Sequence, residues 1–355
     1  MAQAQAAAPA YPPIDARSVW LLGDAPPPDP ARTAARLAQL TSGVADRDGY
    51  LNGGAVAALE RQVADLLGKP ACAFLPTGTL ANHLAIRALC GENRRAIVQA
   101  DSHVYCDEGD GIQRLSGINL VPLTAGRATP GLDEIQGLVE KAEKGPYPVR
   151  TGAISLESPV RRLEGQMVGL REARAISEWA RGRGIGLHLD GARLLLAPPE
   201  FDVRACAALF DTVYISLYKY LDAPFGAVLA GEAAMIAEVR RLRHEFGGTI
   251  YQGSAPALLA GAALVDFPER NRRAHGVMRE IVSVLETRKA GSLIETPAPS
   301  NIYQIRLAPT VAKGLSDRFR LAGVRAMVKD DVLAFHVNET LLRRPTEEYL
   351  ALILG

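Results

Sequence analysis

The sequence predicts an α/β protein, in which a large, mostly parallel sheet of seven strands with flanking helices is followed by a smaller C-terminal α+β domain. Between about residues 33 and 231, apolar runs of strand length alternate with amphipathic helical segments, which is typical of a mostly parallel sheet. After residue 251 the alternation gives way to a long charged helix, β runs and shorter helices. The length of 355 residues suits one large domain with a second, smaller one.

The predicted strands are 71–75, 96–100, 118–123, 152–157, 185–189, 212–216 and 226–231. Amphipathic helices are predicted at 55–68, 79–91 and 170–184. The later part predicts a helix at 269–289, a strand at 301–307, a helix at 311–322, β runs at 324–329 and 332–337, and a helix at 346–354. Residues 246–265 carry no charge, but their glycines and short apolar core indicate a buried loop leading into a buried helix rather than a membrane span.

This pattern divides the chain into a flexible tail at 1–30, a large α/β domain at 31–252 and a small domain at 253–355. The first 28 residues are rich in Ala, Pro and Gln and have neither the basic segment nor the apolar stretch of a secretory signal. We therefore expect a cytoplasmic protein. An exported protein whose signal has been removed is the alternative.

The overall charge excludes one class of partner. The 40 basic and 39 acidic residues give a net charge of +1, so the basic surface that nucleic acid requires is not expected. The four cysteines are too widely spaced for a disulfide framework or a zinc site, and no metal is predicted.

Polar residues follow three of the predicted strands, where ligands bind in open α/β sheets. Thr77, Gly78 and Thr79 lie between a strand and a helix, so the helix N-terminus can bind an anion. The alternative is that a threonine only caps the helix. Asp190 follows the strand 185–189 and needs a cationic or proton-bearing partner if it is buried; an ion pair with Arg193 or a helix cap would also explain it.

The third element is Lys219, which follows an apolar strand and lies among aromatic residues. Such surroundings lower the pKa of a lysine, as a Schiff-base lysine requires, although a surface lysine with a buried stem is the alternative. An anion site, a carboxylate and a desolvated lysine are together the groups that pyridoxal phosphate requires.

The chain resembles the threonine aldolase/β-eliminating lyase family of pyridoxal-phosphate enzymes, which have the aspartate-aminotransferase-like fold (fold type I). The resemblance is strongest from about residue 50 to 252 and rests on the order of several segments: FLPTGTLANHLAI (74–86), DSHVYCDEG (101–109), LHLDGARLLLA (187–197), LYKYLDAPFGAVLAG (217–231) and RRLRHEFGGTIYQGS (240–254).

The resemblance implies a role for each candidate residue. Lys219 would carry the cofactor and move a proton, Asp190 would keep the pyridine nitrogen protonated, and His103 would stack on the ring. The remaining candidates are Thr77, Gly78, Thr79 and Ser216 for the cofactor, and Arg193, Tyr50 and Glu157 for the amino-acid substrate, with Arg193 contacting its carboxylate. The implied reaction cleaves a β-hydroxy-α-amino acid into glycine and an aldehyde, in a homodimer or homotetramer.

Three positions depart from the family pattern. Val160 stands where the family has a histidine that contacts the substrate hydroxyl, and Tyr251 and Ala334 stand at positions of family arginines. These replacements favour, as an alternative, a β-eliminating lyase or another enzyme of this fold with a different amino-acid substrate. A third hypothesis is a binding protein without lyase chemistry, against which Lys219 and Asp190 argue.

Overall fold

A computed structural model describes residues 15–42 and 46–355 of the chain. The first 14 residues of the predicted tail lie outside the described residues.

The strands are β1 (Val19–Trp20), β2 (Ala71–Leu75), β3 (Arg95–Val98), β4 (Asn119–Pro122), β5 (Ala153–Glu157), β6 (Gly186–Asp190), β7 (Thr212–Ser216), β8 (Ala227–Gly231), β9 (Gly291–Leu293), β10 (Ile302–Leu307), β11 (Val324–Arg325), β12 (Met327–Lys329) and β13 (Val332–His336). The α-helices are α1 (Pro30–Thr41), α2 (Gly54–Leu67), α3 (Gly78–Cys90), α4 (His103–Cys106), α5 (Gly111–Ser116), α6 (Leu132–Glu143), α7 (Leu170–Gly182), α8 (Val203–Ala207), α9 (Ala233–Glu245), α10 (Ser254–Thr287), α11 (Pro309–Ala312), α12 (Leu315–Leu321) and α13 (Thr346–Leu354). Short 3₁₀ turns lie at Arg161–Leu163, Leu194–Leu196 and Glu339–Arg343.

The large sheet has the order β2-β8-β7-β6-β5-β3-β4. Strands β7, β6, β5, β3 and β4 are parallel, whereas β8 runs antiparallel to both of its neighbours. Every residue of β5, β7 and β8 is buried, as expected where helices cover both faces of a parallel sheet. The predicted seven-stranded, mostly parallel sheet is confirmed.

Because most strands are parallel, their carboxyl ends lie along one edge of the sheet. Strand β2 ends at Leu75, β5 at Glu157, β6 at Asp190 and β7 at Ser216. Each of these ends leads directly into a segment that the sequence marked as functional.

The chain forms two compact units. The larger unit consists of residues 28–268 and 296–300 and contains the seven-stranded sheet. The smaller unit takes in 269–295 and 301–355 together with the described residues before Pro28, and it contains the antiparallel sheet β12-β13-β10-β9 and the parallel pair β1-β11. These limits differ from the predicted division: residues 253–268 group with the large unit, and β1, inside the predicted tail, groups with the small one.

Several predicted elements differ from those observed. The helix predicted at 269–289 begins at Ser254, since the Ala- and Leu-rich stretch before Pro268 continues the same helix. The helix predicted at 311–322 is broken at Gly314, which has a φ of +71°. The expectation that 246–265 is buried is wrong for Tyr251 and Val265, whose side chains are exposed.

Candidate active site

A cavity of about 350 Å³ lies at the carboxyl edge of the large sheet. It is lined by eight of the ten candidate residues: Thr77, Gly78, Thr79, His103, Glu157, Asp190, Arg193 and Lys219. Asn82, Tyr214, Tyr218 and Phe225 also line it. Candidate residues that are up to 142 positions apart in the sequence therefore meet at a single site, as the positions of the strand ends predict.

The turn between β2 and α3 forms one wall of the cavity. Thr77 is the N-cap of α3, and its hydroxyl oxygen accepts a hydrogen bond from the Leu80 N–H at 3.1 Å. A Cβ atom added to Gly78 would lie only 2.1 Å from the Tyr214 hydroxyl oxygen, so no other residue fits without a shift of this wall. At this wall, a residue without a side chain stands at the N-terminal end of a 13-residue helix. The N-terminal end of a helix favours the binding of an anion.

Asp190 ends β6 and is almost completely buried at 2% exposure. Its Oδ1 accepts a hydrogen bond from the Ala192 N–H at 3.1 Å, and its Oδ2 accepts one from Asn82 Nδ2 at 2.9 Å. Two donors on separate oxygens fix the orientation of this buried carboxyl group. The cavity thus contains an oriented acidic side chain.

Lys219 lies in the turn that follows β7. Its Nζ is 5.9 Å from the centre of the Tyr218 ring, and the Leu217 N–H donates to the Gly226 carbonyl oxygen at 3.1 Å, which closes the loop that carries the lysine. The lysine is half-buried rather than on an open surface. This position brings an amine into the same cavity as Asp190.

His103 is held by two carboxylates at the start of α4. Its backbone N–H donates to Glu157 Oε2 at 2.7 Å, and its Nδ1 is 3.1 Å from Glu108 Oε1. The hydrogen bond to Glu108 raises the pKa of the imidazole, while burial raises the pKa of Glu108. The ring orientation of His103 is therefore fixed by its neighbours.

Glu157 is a buried acid at the end of β5. Its two oxygens accept from the backbone N–H groups of His103 and Arg161, at 2.7 and 3.0 Å. Burial is the main reason that the pKa of this carboxyl is raised to about 7, and the nearby charge of Asp190 adds to the effect. Arg193 acts in the opposite direction, since its positive charge favours the ionised form.

Because the folded-state pKa of Glu157 is raised, its contribution to stability is complete below the unfolded pKa of 4.5 and is lost as the pH rises through about 7. We expect the free energy of unfolding of the wild type, relative to the Glu157→Gln variant, to fall by about 2–3 kcal/mol between about pH 5 and about pH 8. Urea unfolding across this range measures it.

The exposed residue Glu140 is the matched control, because the pKa of its carboxyl is lowered by Lys144 and it stays ionised over this range. The free energy of unfolding of the Glu140→Gln variant is expected to change with pH in the same way as that of the wild type. If the free energy of unfolding of Glu157→Gln also followed that of the wild type across this pH range, the raised pKa of Glu157 would be contradicted.

Two candidate residues do not line the cavity. Ser216 is buried at the end of β7 and Tyr50 is exposed, with its ring 5.3 Å from the Tyr251 ring in an edge-on arrangement. Tyr50 has a φ of +52°, and its N–H donates to the Tyr251 carbonyl oxygen. Their assignments to cofactor and substrate stay predictions, as do the roles of the residues that line the cavity.

The sequence analysis assigned no role to Asn82, Glu108 or Tyr214, although all three belong to the site. Asn82 and Glu108 stand within the segments 74–86 and 101–109 that carry the resemblance. Their position in these segments could have marked them as candidates for the site. The hydroxyl of Tyr214 faces Gly78, a contact between strand and turn that no local pattern indicates.

Two of the residues that depart from the family pattern, Val160 and Ala334, are buried away from the cavity. Val160 is fully buried, and its N–H donates to the Gln166 carbonyl oxygen at 2.8 Å. Ala334 is buried in β13, opposite Gln304 of β10. Neither residue is among those that line the cavity.

Comparisons with known proteins identify the family of this chain. The family model described as beta-eliminating lyase matches residues 30–344. The low-specificity L-threonine aldolase of Saccharomyces cerevisiae is 30% identical over 297 residues, 79% of this chain and 73% of that protein. The aldolase vrtJ of Penicillium aethiopicum is 30% identical over 312 residues, 83% of this chain and 78% of that protein.

An Arabidopsis thaliana protein assigned as a low-specificity L-threonine aldolase is 32% identical over 219 residues, 59% of this chain and 60% of the relative, so that match spans less than two thirds of its length. Among solved structures, a Listeria monocytogenes protein assigned as an L-allo-threonine aldolase is similar over 95% of both chains, with a TM-score of 0.78 and 26% identity. These matches confirm the resemblance that the sequence motifs indicated, and the chain belongs to the beta-eliminating lyase family.

Proposed function

We propose that the protein is a pyridoxal-phosphate-dependent lyase that cleaves a β-hydroxy-α-amino acid into glycine and an aldehyde. The observation that carries this proposal is the meeting of Lys219, Asp190 and the Gly78 turn in one cavity. The names of the yeast, Penicillium and Listeria relatives support the aldol-type reaction.

The cavity fits the cofactor. The anion-favouring end of α3, where a Cβ on Gly78 would collide with Tyr214, suits a phosphate group. In the same cavity, Asp190 is a buried carboxylate with both oxygens oriented by donors, which suits a protonated pyridine nitrogen. Lys219 supplies the amine that such a cofactor needs.

Each residue of the chain then has a defined task. Pyridoxal phosphate, when bound, supplies a conjugated ring that accepts the electron pair of the broken Cα–Cβ bond. Lys219 would hold the cofactor and carry a proton on Nζ, Asp190 would keep the pyridine nitrogen charged, and His103 would lie against the ring. Arg193 would bind the substrate carboxylate through its planar guanidinium group.

Product analysis tests this proposal. The purified protein with pyridoxal phosphate is incubated with L-threonine and L-allo-threonine, and glycine and acetaldehyde are measured. Equal amounts of both products are expected from at least one substrate. Release of ammonia and a keto acid instead would establish β-elimination, and cofactor binding without any product from these substrates would contradict the aldolase assignment.

We also propose that the protein works in the cytoplasm on a free amino acid as a homodimer or homotetramer. All four cysteines are free thiols, which suits a reducing compartment. No helix within residues 15–42 and 46–355 is both long and apolar enough to cross a membrane. Light scattering of the purified protein measures the assembly, and a monomeric mass would contradict it.

A further inference from the structure

Asn82 lies in a buried position on α3, between two acidic side chains. Its Nδ2 donates one hydrogen bond to Asp190 Oδ2 and one to Glu108 Oε1, each at 2.9 Å. Its Oδ1 is 3.0 Å from His188 Nε2. All polar atoms of this side chain are therefore used, and they connect three titratable residues.

The two carboxylates determine which way the amide faces. Ionised carboxylate oxygens only accept hydrogen bonds, so the NH₂ group must face Asp190 and Glu108, and the amide oxygen must face His188. Burial lowers the pKa of His188 to about 4, so this imidazole is neutral and carries one N–H. That hydrogen must be on Nε2, and Nδ1, 2.9 Å from Thr212 Oγ1, accepts from the hydroxyl.

The network continues from Glu108 to His103. Glu108 Oε1 contacts both Asn82 Nδ2 and His103 Nδ1, whereas Glu108 Oε2 is buried without a hydrogen-bond partner among the described residues. The side chain of Glu108 is 1% exposed. Its charge thus depends on the two donors at Oε1, one of which is Asn82.

We propose that Asn82 is a positioning residue that holds the carboxyl groups of Asp190 and Glu108 side by side and stabilises the charge on Glu108, and that it thereby joins the carboxylate opposite the pyridine nitrogen to the charge of His103. Without the amide, Glu108 would hold its proton to a higher pH because it would have lost a donor in a buried position. His103 would then lose the negative charge that stabilises its imidazolium form. The part of this proposal that concerns the pyridine nitrogen rests on the proposed function, but the network itself does not.

Other charged groups act on His103 and remain in place. Asp190 favours the charged imidazole and Lys219 opposes it. Asp107, which pairs with Arg162 at the surface, also interacts with His103. Glu108→Gln leaves these groups untouched, whereas Asn82→Leu also removes a donor from Asp190, so Glu108→Gln is the variant that changes the Glu108 charge alone.

The test uses the cofactor-free protein with ¹³C-labelled histidine, so that His103 can be titrated by NMR independently of catalysis. Four forms are compared: wild type, Asn82→Leu, Glu108→Gln and the double variant. Each single substitution is expected to lower the pKa of His103, by up to about one unit, because Glu108→Gln removes the carboxylate charge and Asn82→Leu makes the same carboxyl hold its proton to a higher pH. In the double variant the two shifts are expected not to add, since the second change finds the charge already absent.

Additive shifts, or an unchanged pKa in Asn82→Leu, would overturn the proposal. The matched control is His83→Gln: His83 is the next residue of the same helix and is also buried, but its ring contacts Ser116 Oγ at 2.6 Å, so the titration of His103 should not move. The labelled spectrum of the wild type gives a second test that needs no Asn82 variant, because His188 must carry its hydrogen on Nε2. A hydrogen on Nδ1 would overturn the proposed network even if the threonine assay succeeded.

Discussion

The Lys219→Ala variant is expected to lose at least about 10³-fold in turnover and, with added cofactor, to lack the visible absorbance of a lysine-bound pyridoxal phosphate. Among the described residues that line the cavity, Lys219 is the one lysine. Removing its amine takes away both the group that bonds to the cofactor and the proton carrier of the proposed reaction. Absorbance spectra and product release with threonine measure the two losses separately.

Lys69→Ala is the matched control for this experiment. Lys69 is also partly buried in the large unit, where its Nζ donates to the Phe210 carbonyl oxygen at 2.5 Å, outside the cavity. This variant is expected to keep the visible absorbance and to retain turnover within about two-fold, at some cost in stability from the lost hydrogen bond. If Lys219→Ala keeps its absorbance and its turnover, the cofactor assignment is wrong.

The strands of the large sheet could be predicted because buried strands are apolar along almost their whole length. The runs 71–75 and 212–216 agree exactly with β2 and β7, and the other five strands lie within two residues of their predicted ends. Strands buried on both faces are nearly continuous apolar runs, so their limits appear in the sequence. By contrast, α10 merges two predicted segments, because Pro268 stands inside the helix without ending it.

Much of the site could also be predicted, for a topological reason. Asp190 and Lys219 each follow a strand, and parallel strands bring their carboxyl ends together whatever the intervening loops contain. Asn82 was not predicted, because its role depends on contacts with residues 26 and 108 positions away and on the side of α3 that faces the sheet. Tyr50 shows a limit of the resemblance itself. The resemblance implies that this residue binds the substrate, but Tyr50 is not among the residues that line the cavity.

The Asp190→Asn variant tests the electrostatic part of the mechanism with almost no change in volume. In the wild type both oxygens of this side chain accept hydrogen bonds, from the Ala192 N–H and from Asn82 Nδ2. An asparagine amide has one oxygen and one NH₂ group, so either orientation turns a donor toward another donor. The substitution therefore removes the negative charge and also leaves one hydrogen bond unmade in a buried position.

We expect Asp190→Asn to lower kcat by about 10²-fold to 10³-fold, because the charge on the pyridine nitrogen that it stabilises is what makes the ring an electron acceptor. Weaker cofactor binding is also expected, measured by titrating the cofactor-free protein with pyridoxal phosphate. The control is Asp211→Asn in the same unit, since Asp211 Oδ2 accepts from the Leu187 N–H at 2.7 Å, a bond that the amide oxygen can replace. Near-normal kcat in Asp190→Asn would show that the reaction does not depend on a charged pyridine nitrogen, and would favour a different chemistry for this cavity.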